Sequence, residues 1–197
     1  MSSSLTAAPS DVQGSDARFN TIPSLDGAPP LVTVRHLTKT YRGRPALRDL
    51  SLSLPAGRIV GLMGANGCGK TTLLKILAGV LADYEGQVRI AGHAPGPLSK
   101  ALVSFLPDAD FLATSLTPPR AIAQFSRLFA DFDAAKARRL VDFFALPAER
   151  SIKEMSKGMG EKLRIALMMS RRARVYLLDE PISGVDPAAR EIILDGV

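Results

Sequence analysis

The stretch Gly64-Ala65-Asn66-Gly67-Cys68-Gly69-Lys70-Thr71-Thr72 decides the fold, because it joins a short apolar run to a helix-forming sequence through a glycine-rich turn. It satisfies the spacing G-x-x-x-x-G-K-[ST], and that spacing has a physical use. Glycines, having no Cβ, let successive backbone N–H groups turn inward and surround a phosphate. The same groups open a helix, whose N-terminal partial charge favours an anion. Lys70 is spaced to reach the outer phosphates, and the Thr71 hydroxyl is spaced to ligate a divalent cation. Cys68 fills a position on which the pattern makes no demand. It reads as a tolerated small residue rather than a redox group.

Upstream of this loop, residues 31–34 and the alternation Leu50, Leu52, Leu54 around Ser51 and Ser53 predict strands. Pro55-Ala56-Gly57 is a turn signal, and residues 58–63 read as a strand buried on both faces. Downstream, residues 70–78 form a helix ended by Gly79, and 86–90 and 102–106 are strand candidates. The middle of the chain differs: Pro118 and Pro119 can start a helix, and 131–144 has helical spacing of apolar residues. Residues 155–171 read as a further helix, 175–178 as a second buried strand, and 187–194 as a helix capped by Asp186. The order describes an α/β core interrupted by a helical insertion, with no internal repeat.

The second strand carries the other half of the chemistry. Val175-Tyr176-Leu177-Leu178-Asp179-Glu180 delivers two carboxylates to a C-terminal strand end, where α/β sheets bind ligands. Asp179 is suited to hold Mg²⁺, and Glu180 to accept a proton from an attacking water.

Bulk composition bounds the alternatives. At 197 residues the chain is long enough for one well-buried domain. Its 46% hydrophobic and 22% charged residues are ordinary for a globular protein. No run approaches the ~20 apolar residues of a membrane-spanning helix. Residues 1–30 lack a basic start and an apolar centre and read as a flexible tail. The net charge of +6 comes from scattered residues, densest at Arg171, Arg172 and Arg174, and reads as a solvated basic face rather than a specific nucleic-acid site.

Many families combine a phosphate loop with an acidic strand. Met155-Ser156-Lys157-Gly158-Met159 narrows the choice, because it resembles the signature loop of ABC ATPases, usually L-S-G-G-Q; Ser156 and Gly158 match, and Lys157 and Met159 depart. Ser183-Gly184-Val185-Asp186 resembles the family's D-loop, and Tyr41 stands where the family has an aromatic that stacks on adenine. By themselves Tyr41 would read as a half-exposed strand aromatic, and Ser156 and Gly158 as a helix cap and first turn. The ordered set is similar to the ATP-binding subunit of an ABC transporter over residues 31–197.

That resemblance implies a P-loop NTPase core with a mostly parallel sheet, an antiparallel N-terminal β-subdomain and a helical subdomain over about 115–172. ATP would be held by Tyr41, Gly64, Ala65, Asn66, Gly67, Cys68, Gly69, Lys70, Thr71 and Thr72, with Ser156, Gly158 and Asp186 as contacts from signature and D-loops. Lys70, Asp179 and Glu180 would be catalytic, and Thr71, Asp179 and Asp108 would face Mg²⁺. Two such subunits, identical or not, would close head to tail on ATP and drive membrane permease subunits from the cytoplasmic face of the membrane. Asp108 stands where the family has the Q-loop glutamine, and a carboxylate donates no hydrogen bond. Asp-containing loops together with S-K-G-M resemble a branch serving export-type permeases. The family's switch histidine lies beyond Val197, on a central strand whose absence would expose unpaired backbone on its neighbours. The bare chain is therefore expected to be marginally stable and poor at hydrolysis. A non-hydrolysing nucleotide-binding remnant or regulator, and a soluble ABC protein, stand as the other readings.

Overall fold

The computed structural model describes residues 3–5, 20–21 and 29–179. The chain divides into two compact units, 1–100 and 101–197.

The first unit contains β1 (Ser3–Leu5), β2 (Asn20–Thr21), β3 (Val32–Tyr41), β4 (Arg44–Leu54), β5 (Val60–Leu62), α1 (Lys70–Leu77) and β6 (Glu85–Ile90). Its four-stranded sheet has the order β2-β4-β3-β6, with β3 antiparallel to both β4 and β6. One face is sealed by Val32, Val34, Leu37, Leu47, Leu52, Val88 and Ile90. The buried positions of β3 change phase midway. Val32 and Val34 are buried, Arg35 and His36 are both exposed, and Leu37 and Lys39 are buried again. A bulge explains the change: the β3–β4 register shifts between Val34 and Leu37, and His36 and Asp49 take φ values of 50° and 44°. An extra residue at a bulge moves every later side chain to the opposite face. The bulge is tied by His36 Nδ1 and Asp49 Oδ1 at 2.7 Å and by His36 N–H donating to Ser51 Oγ at 2.9 Å.

Two departures from the sequence reading fall in this unit. Within the segment read as a flexible tail, β1 pairs in parallel with β5 and β2 with β4. Such pairing uses only backbone groups at an open strand edge, so polar composition does not forbid it. The strand read as buried on both faces is instead open: Ile59, Leu62 and Met63 are 44%, 42% and 56% exposed. Among the described residues β5 has only β1 as a sheet partner. Apolar composition suits a strand for burial, but burial needs covering elements on both sides.

α2 (Pro97–Leu102), a helix not foreseen from sequence, begins in the first unit and leads into β7 (Val103–Leu106), which in the second unit forms a parallel pair with β8 (Val175–Leu178). Three further helices belong here: α3 (Pro118–Leu128), α4 (Ala134–Phe143) and α5 (Lys157–Met169). Pro118 begins α3, where its missing N–H costs nothing. Asp133 caps α4 by accepting from Lys136 N–H at 2.8 Å, and this bond holds its carboxyl below the usual range. The core is formed by Leu106, Ala121, Ile122, Phe125, Val141, Leu163, Leu167 and Met169 among others. Phe125 anchors an aromatic group, with Phe129 and Phe132 rings at 5.3 and 5.6 Å.

Arg171 ties this unit together. Its buried guanidinium donates to both Asp131 carboxylate oxygens, at 3.0 and 3.2 Å from Nε and 3.0 Å from Nη2. It also donates to the carbonyls of Val103 at 2.9 Å and Ala101 at 3.2 Å, and it lies 4.1 Å from the Phe129 ring centroid. The Tyr176 hydroxyl donates to the Arg171 carbonyl at 2.5 Å. One planar fork thus joins the start of β7, the α3–α4 connection and the turn before β8. Arg171→Met is expected to destabilise the fold by about 3–5 kcal/mol, because a carboxylate and two carbonyls lose their donor. Denaturant unfolding of the variant measures this directly. Arg171→Lys is expected to recover less than half, since a point charge cannot reproduce the fork.

Candidate functional site

The glycine-rich loop leaves β5 and turns into α1 at Gly69, the helix N-cap, with φ 98° and ψ 6°. Gly67 is also left-handed, with φ 81°. The turn is closed internally by Cys68 N–H donating to Ala65 O at 3.2 Å, and α1 begins with Leu73 N–H donating to Gly69 O at 2.9 Å. Leu73, Ile76 and Leu77 bury the inner face of α1 and so hold its N-terminus still. The Lys70 ammonium folds back over the loop, donating to the carbonyls of Gly64 at 2.9 Å and Ala65 at 3.1 Å. It therefore stands at the loop mouth, where phosphate oxygens could replace two neutral acceptors with charged ones. A Cβ at Gly69 would lie 2.3 Å from the Ala46 carbonyl oxygen, so only glycine permits this close approach.

Tyr41 ends β3 with its side chain 45% exposed, as befits an aromatic offering a face to a ligand. Lys39, two residues earlier on the same side of the strand, has Nζ 4.8 Å from the Tyr41 ring centroid and 2.7 Å from Asp83 Oδ2. Lys39 was not singled out from sequence. Its signal, a cation at i−2 from an aromatic in a strand, is common and weak.

In the second unit, β7 and β8 pair in register from Val103 with Val175 to Leu106 with Leu178. Asp179 N–H continues the ladder by donating to Leu106 O at 2.9 Å. Asp179 is buried, and Asp108, two residues past the end of β7, is exposed; both leave the same end of the pair. Arg164, buried on α5, is ion-paired with Asp110 of the segment that carries Asp108. Glu180, Asp186 and the D-loop-like segment 183–186 lie outside the described residues.

The signature-like segment is built by two successive caps. Ser151 and Glu154 form a reciprocal capping box around a 3₁₀ turn (Ile152–Glu154). Hydrogen bonds from the Ser151 hydroxyl and backbone hold the Glu154 carboxyl below its usual range. Ser156 then caps α5, its Oγ accepting from Met159 N–H at 3.2 Å. A Cβ at Gly158 would meet nothing within 4 Å. Among the described residues no packing calls for a glycine there, although glycine in a helix costs roughly 0.5–1 kcal/mol relative to alanine.

The donor set bears on the metal expected from sequence. Among the described residues no group of three His, Cys, Asp or Glu side chains could hold an ion. Mg²⁺ is commonly bound by one or two carboxylates, waters and substrate phosphates rather than by an all-protein cage. Asp179, a buried carboxylate, and Thr71, a half-buried hydroxyl, are each donors of the kind that manner of binding uses.

Gly69→Ala is expected to destabilise the first unit by about 2–4 kcal/mol, combining a left-handed φ with a backbone clash. Gly67→Ala, equally left-handed but with open space at Cβ, is expected to cost about 1 kcal/mol. Thermal unfolding of the two variants checks the order.

The sequence profile of the ABC transporter family matches residues 47–183. The ABC transporter ATP-binding protein YtrB of Bacillus subtilis is 28% identical over 166 residues, covering 83% of this chain and 57% of YtrB. The Nod factor export ATP-binding protein I of Ralstonia nicotianae is 32% identical over 176 residues, covering 85% of this chain and 54% of that protein. The chain thus spans about half the length of these bacterial relatives. A solved ATP-binding subunit of an ABC transporter superposes with a TM-score of 0.74 at 26% identity, over 84% of this chain and 72% of that one. A putative ABC transporter ATP-binding protein from Pyrococcus furiosus shares the fold, with a TM-score of 0.69 at 22% identity, over 84% of this chain and 82% of that one. Among the described residues no helix is long and apolar enough to cross a membrane. With its P-loop fold and a profile match over more than half its length, the chain belongs to the ABC transporter family, among its ATP-binding proteins.

Proposed function

We propose that the chain is the ATP-hydrolysing motor subunit of an ABC transporter and works on permease subunits from the cytoplasmic face of a membrane. The observation that carries this reading is the Gly64–Thr71 loop at the N-terminus of α1, with the Lys70 ammonium drawn over its own carbonyls. In this reading residues 31–197 act as one nucleotide-binding domain, with its helical subdomain over about 115–172. Backbone N–H groups of residues 64–71 surround the β-phosphate, and Lys70 swings from the Gly64 and Ala65 carbonyls to the outer phosphates. The exposed face of Tyr41 takes the adenine. Bound Mg²⁺ would be held by Thr71 and Asp179, with Asp108 nearby, and would neutralise charge on the transferred phosphoryl group. Glu180 accepts the proton of the attacking water.

Ser156 and Gly158 serve a second copy or a related subunit, offering a helix N-terminus and a hydroxyl to the γ-phosphate bound in the partner, with Asp186 alongside. This gives Gly158 the purpose that packing among the described residues does not. Lys157 adds positive charge beside that anion. The relatives' names divide between export, such as Nod factor export ATP-binding protein I, and import, such as the spermidine/putrescine import protein PotA of Legionella pneumophila. We read the transported substrate as chosen by the permease subunits.

Lys70→Ala is expected to weaken ATP binding about ten- to a hundredfold, the worth of charge-assisted hydrogen bonds, with folding intact. Isothermal titration measures it, and an unchanged affinity contradicts the reading of the loop. Gly158→Ala is expected to leave stability equal or raised by about 0.5–1 kcal/mol while weakening ATP-dependent self-association of the Glu180→Gln protein. Sedimentation with and without ATP checks this; undiminished association would remove Gly158 from the interface.

A further inference from the structure

We propose that Lys39 is a positioning residue for base recognition, holding the Tyr41 ring so that its free face is set for adenine. The proposal rests on the reading of Tyr41 as the adenine-stacking residue. Lys39 is an unusual strand residue, for its side chain is only 6% exposed while its partner Asp83 is 94% exposed. A lysine with a long flexible stem normally carries its ammonium to water. Here the ammonium is instead fixed by the Asp83 carboxylate at 2.7 Å and lies over the Tyr41 ring at 4.8 Å.

The backbone causes this arrangement. The bulge at His36 shifts the phase of β3, bringing Lys39 to the buried face that Val32 and Val34 occupy before it. Tyr41, at i+2, then stands on the same side as Lys39, which is what lets the cation meet the ring. Asp83 arrives from the other neighbour, because Thr38 pairs with Glu85 of β6 and Asp83 lies two residues before it. Across the β3–β4 ladder Lys39 is opposite Leu47, and the Leu47 side chain lies 2.8 Å from where a Gly69 Cβ would be. The held ring is therefore connected through two residues, Lys39 and Leu47, to the N-cap of the phosphate-loop helix.

A cation over one face of an aromatic ring restrains the ring and leaves the opposite face open for stacking. Restraint before binding lowers the entropy lost when adenine stacks, so the benefit appears only for ligands that carry a base.

The test compares affinities for ATP and for inorganic tripolyphosphate in the 197-residue chain. Lys39→Met is expected to weaken ATP about three- to tenfold while changing tripolyphosphate by less than about twofold. In a Tyr41→Ala background the same substitution is expected to change ATP affinity by less than about twofold. Asp83→Ala, an exposed change that frees the ammonium from its anchor, is expected to lower the ATP-to-tripolyphosphate affinity ratio, and it serves if Lys39→Met does not fold. Equal weakening of both ligands would mean that Lys39 acts on phosphates and would overturn the proposal. So would unchanged ATP affinity in Lys39→Met, or full additivity with Tyr41→Ala. If Tyr41→Ala alone leaves ATP affinity intact, the adenine-stacking role itself fails, an outcome distinct from failure of the Lys39 role.

Discussion

The contact on which the nucleotide site depends is the approach of Gly69 to β4, where a Cβ would come within 2.3 Å of the Ala46 carbonyl oxygen. It fixes where α1 begins and forces the left-handed turn that curves the phosphate loop. Lys70, the first residue of α1, consequently starts from a point that lets its ammonium reach back to Gly64 and Ala65. The contact is also linked to Tyr41, the residue proposed to face adenine. Ala46 is followed by Leu47, Leu47 pairs with Lys39, and Lys39 lies over Tyr41. Phosphate loop and Tyr41 are thus registered to each other by one antiparallel ladder, without a long loop between them.

The second unit has a comparable constraint in Arg171. A buried guanidinium is tolerated only where its donors are satisfied, and here Asp131, Val103 and Ala101 satisfy them. The result is that the short strands β7 and β8 are held in register, so that Asp179 extends the ladder to Leu106 and Asp108 follows from the same end. α5 runs from the Ser156 cap to the turn that carries Arg171, so the signature-like segment and the acidic strand are joined by one rigid helix.

Features governed by neighbouring residues were legible in the sequence. The phosphate loop is set by glycine placement, α1 by its loop and terminal Gly79, and the starts of α3 and α5 by Pro118 and Ser156, whereas α4 begins at Ala134, three residues into the stretch read as helical from 131. β8 falls on the residues read as a strand, and the strand at 86–90 begins one residue earlier, at Glu85. Features governed by distant residues were not. The bulge at His36 depends on Asp49 and Ser51 across the sheet, so alternation alone gave no sign that Lys39 would be buried. The Arg171–Asp131 and Arg164–Asp110 pairs join residues 40 and 54 positions apart. The open face of β5 reflects what covers a strand rather than what composes it, and residues 58–63 look the same whether covered or bare. Glu180 and Asp186, both legible as motif positions, lie outside the described residues.

The central claim is that the backbone amides of residues 64–71 take the phosphates of ATP. Hydrogen–deuterium exchange of the chain with saturating ATP and Mg²⁺ tests it most directly. The account predicts that exchange slows most in the peptide spanning the loop and the first turn of α1, and also slows at the C-terminal end of β3 beside Tyr41. Bound ATP that leaves exchange in the loop peptide unchanged would contradict it.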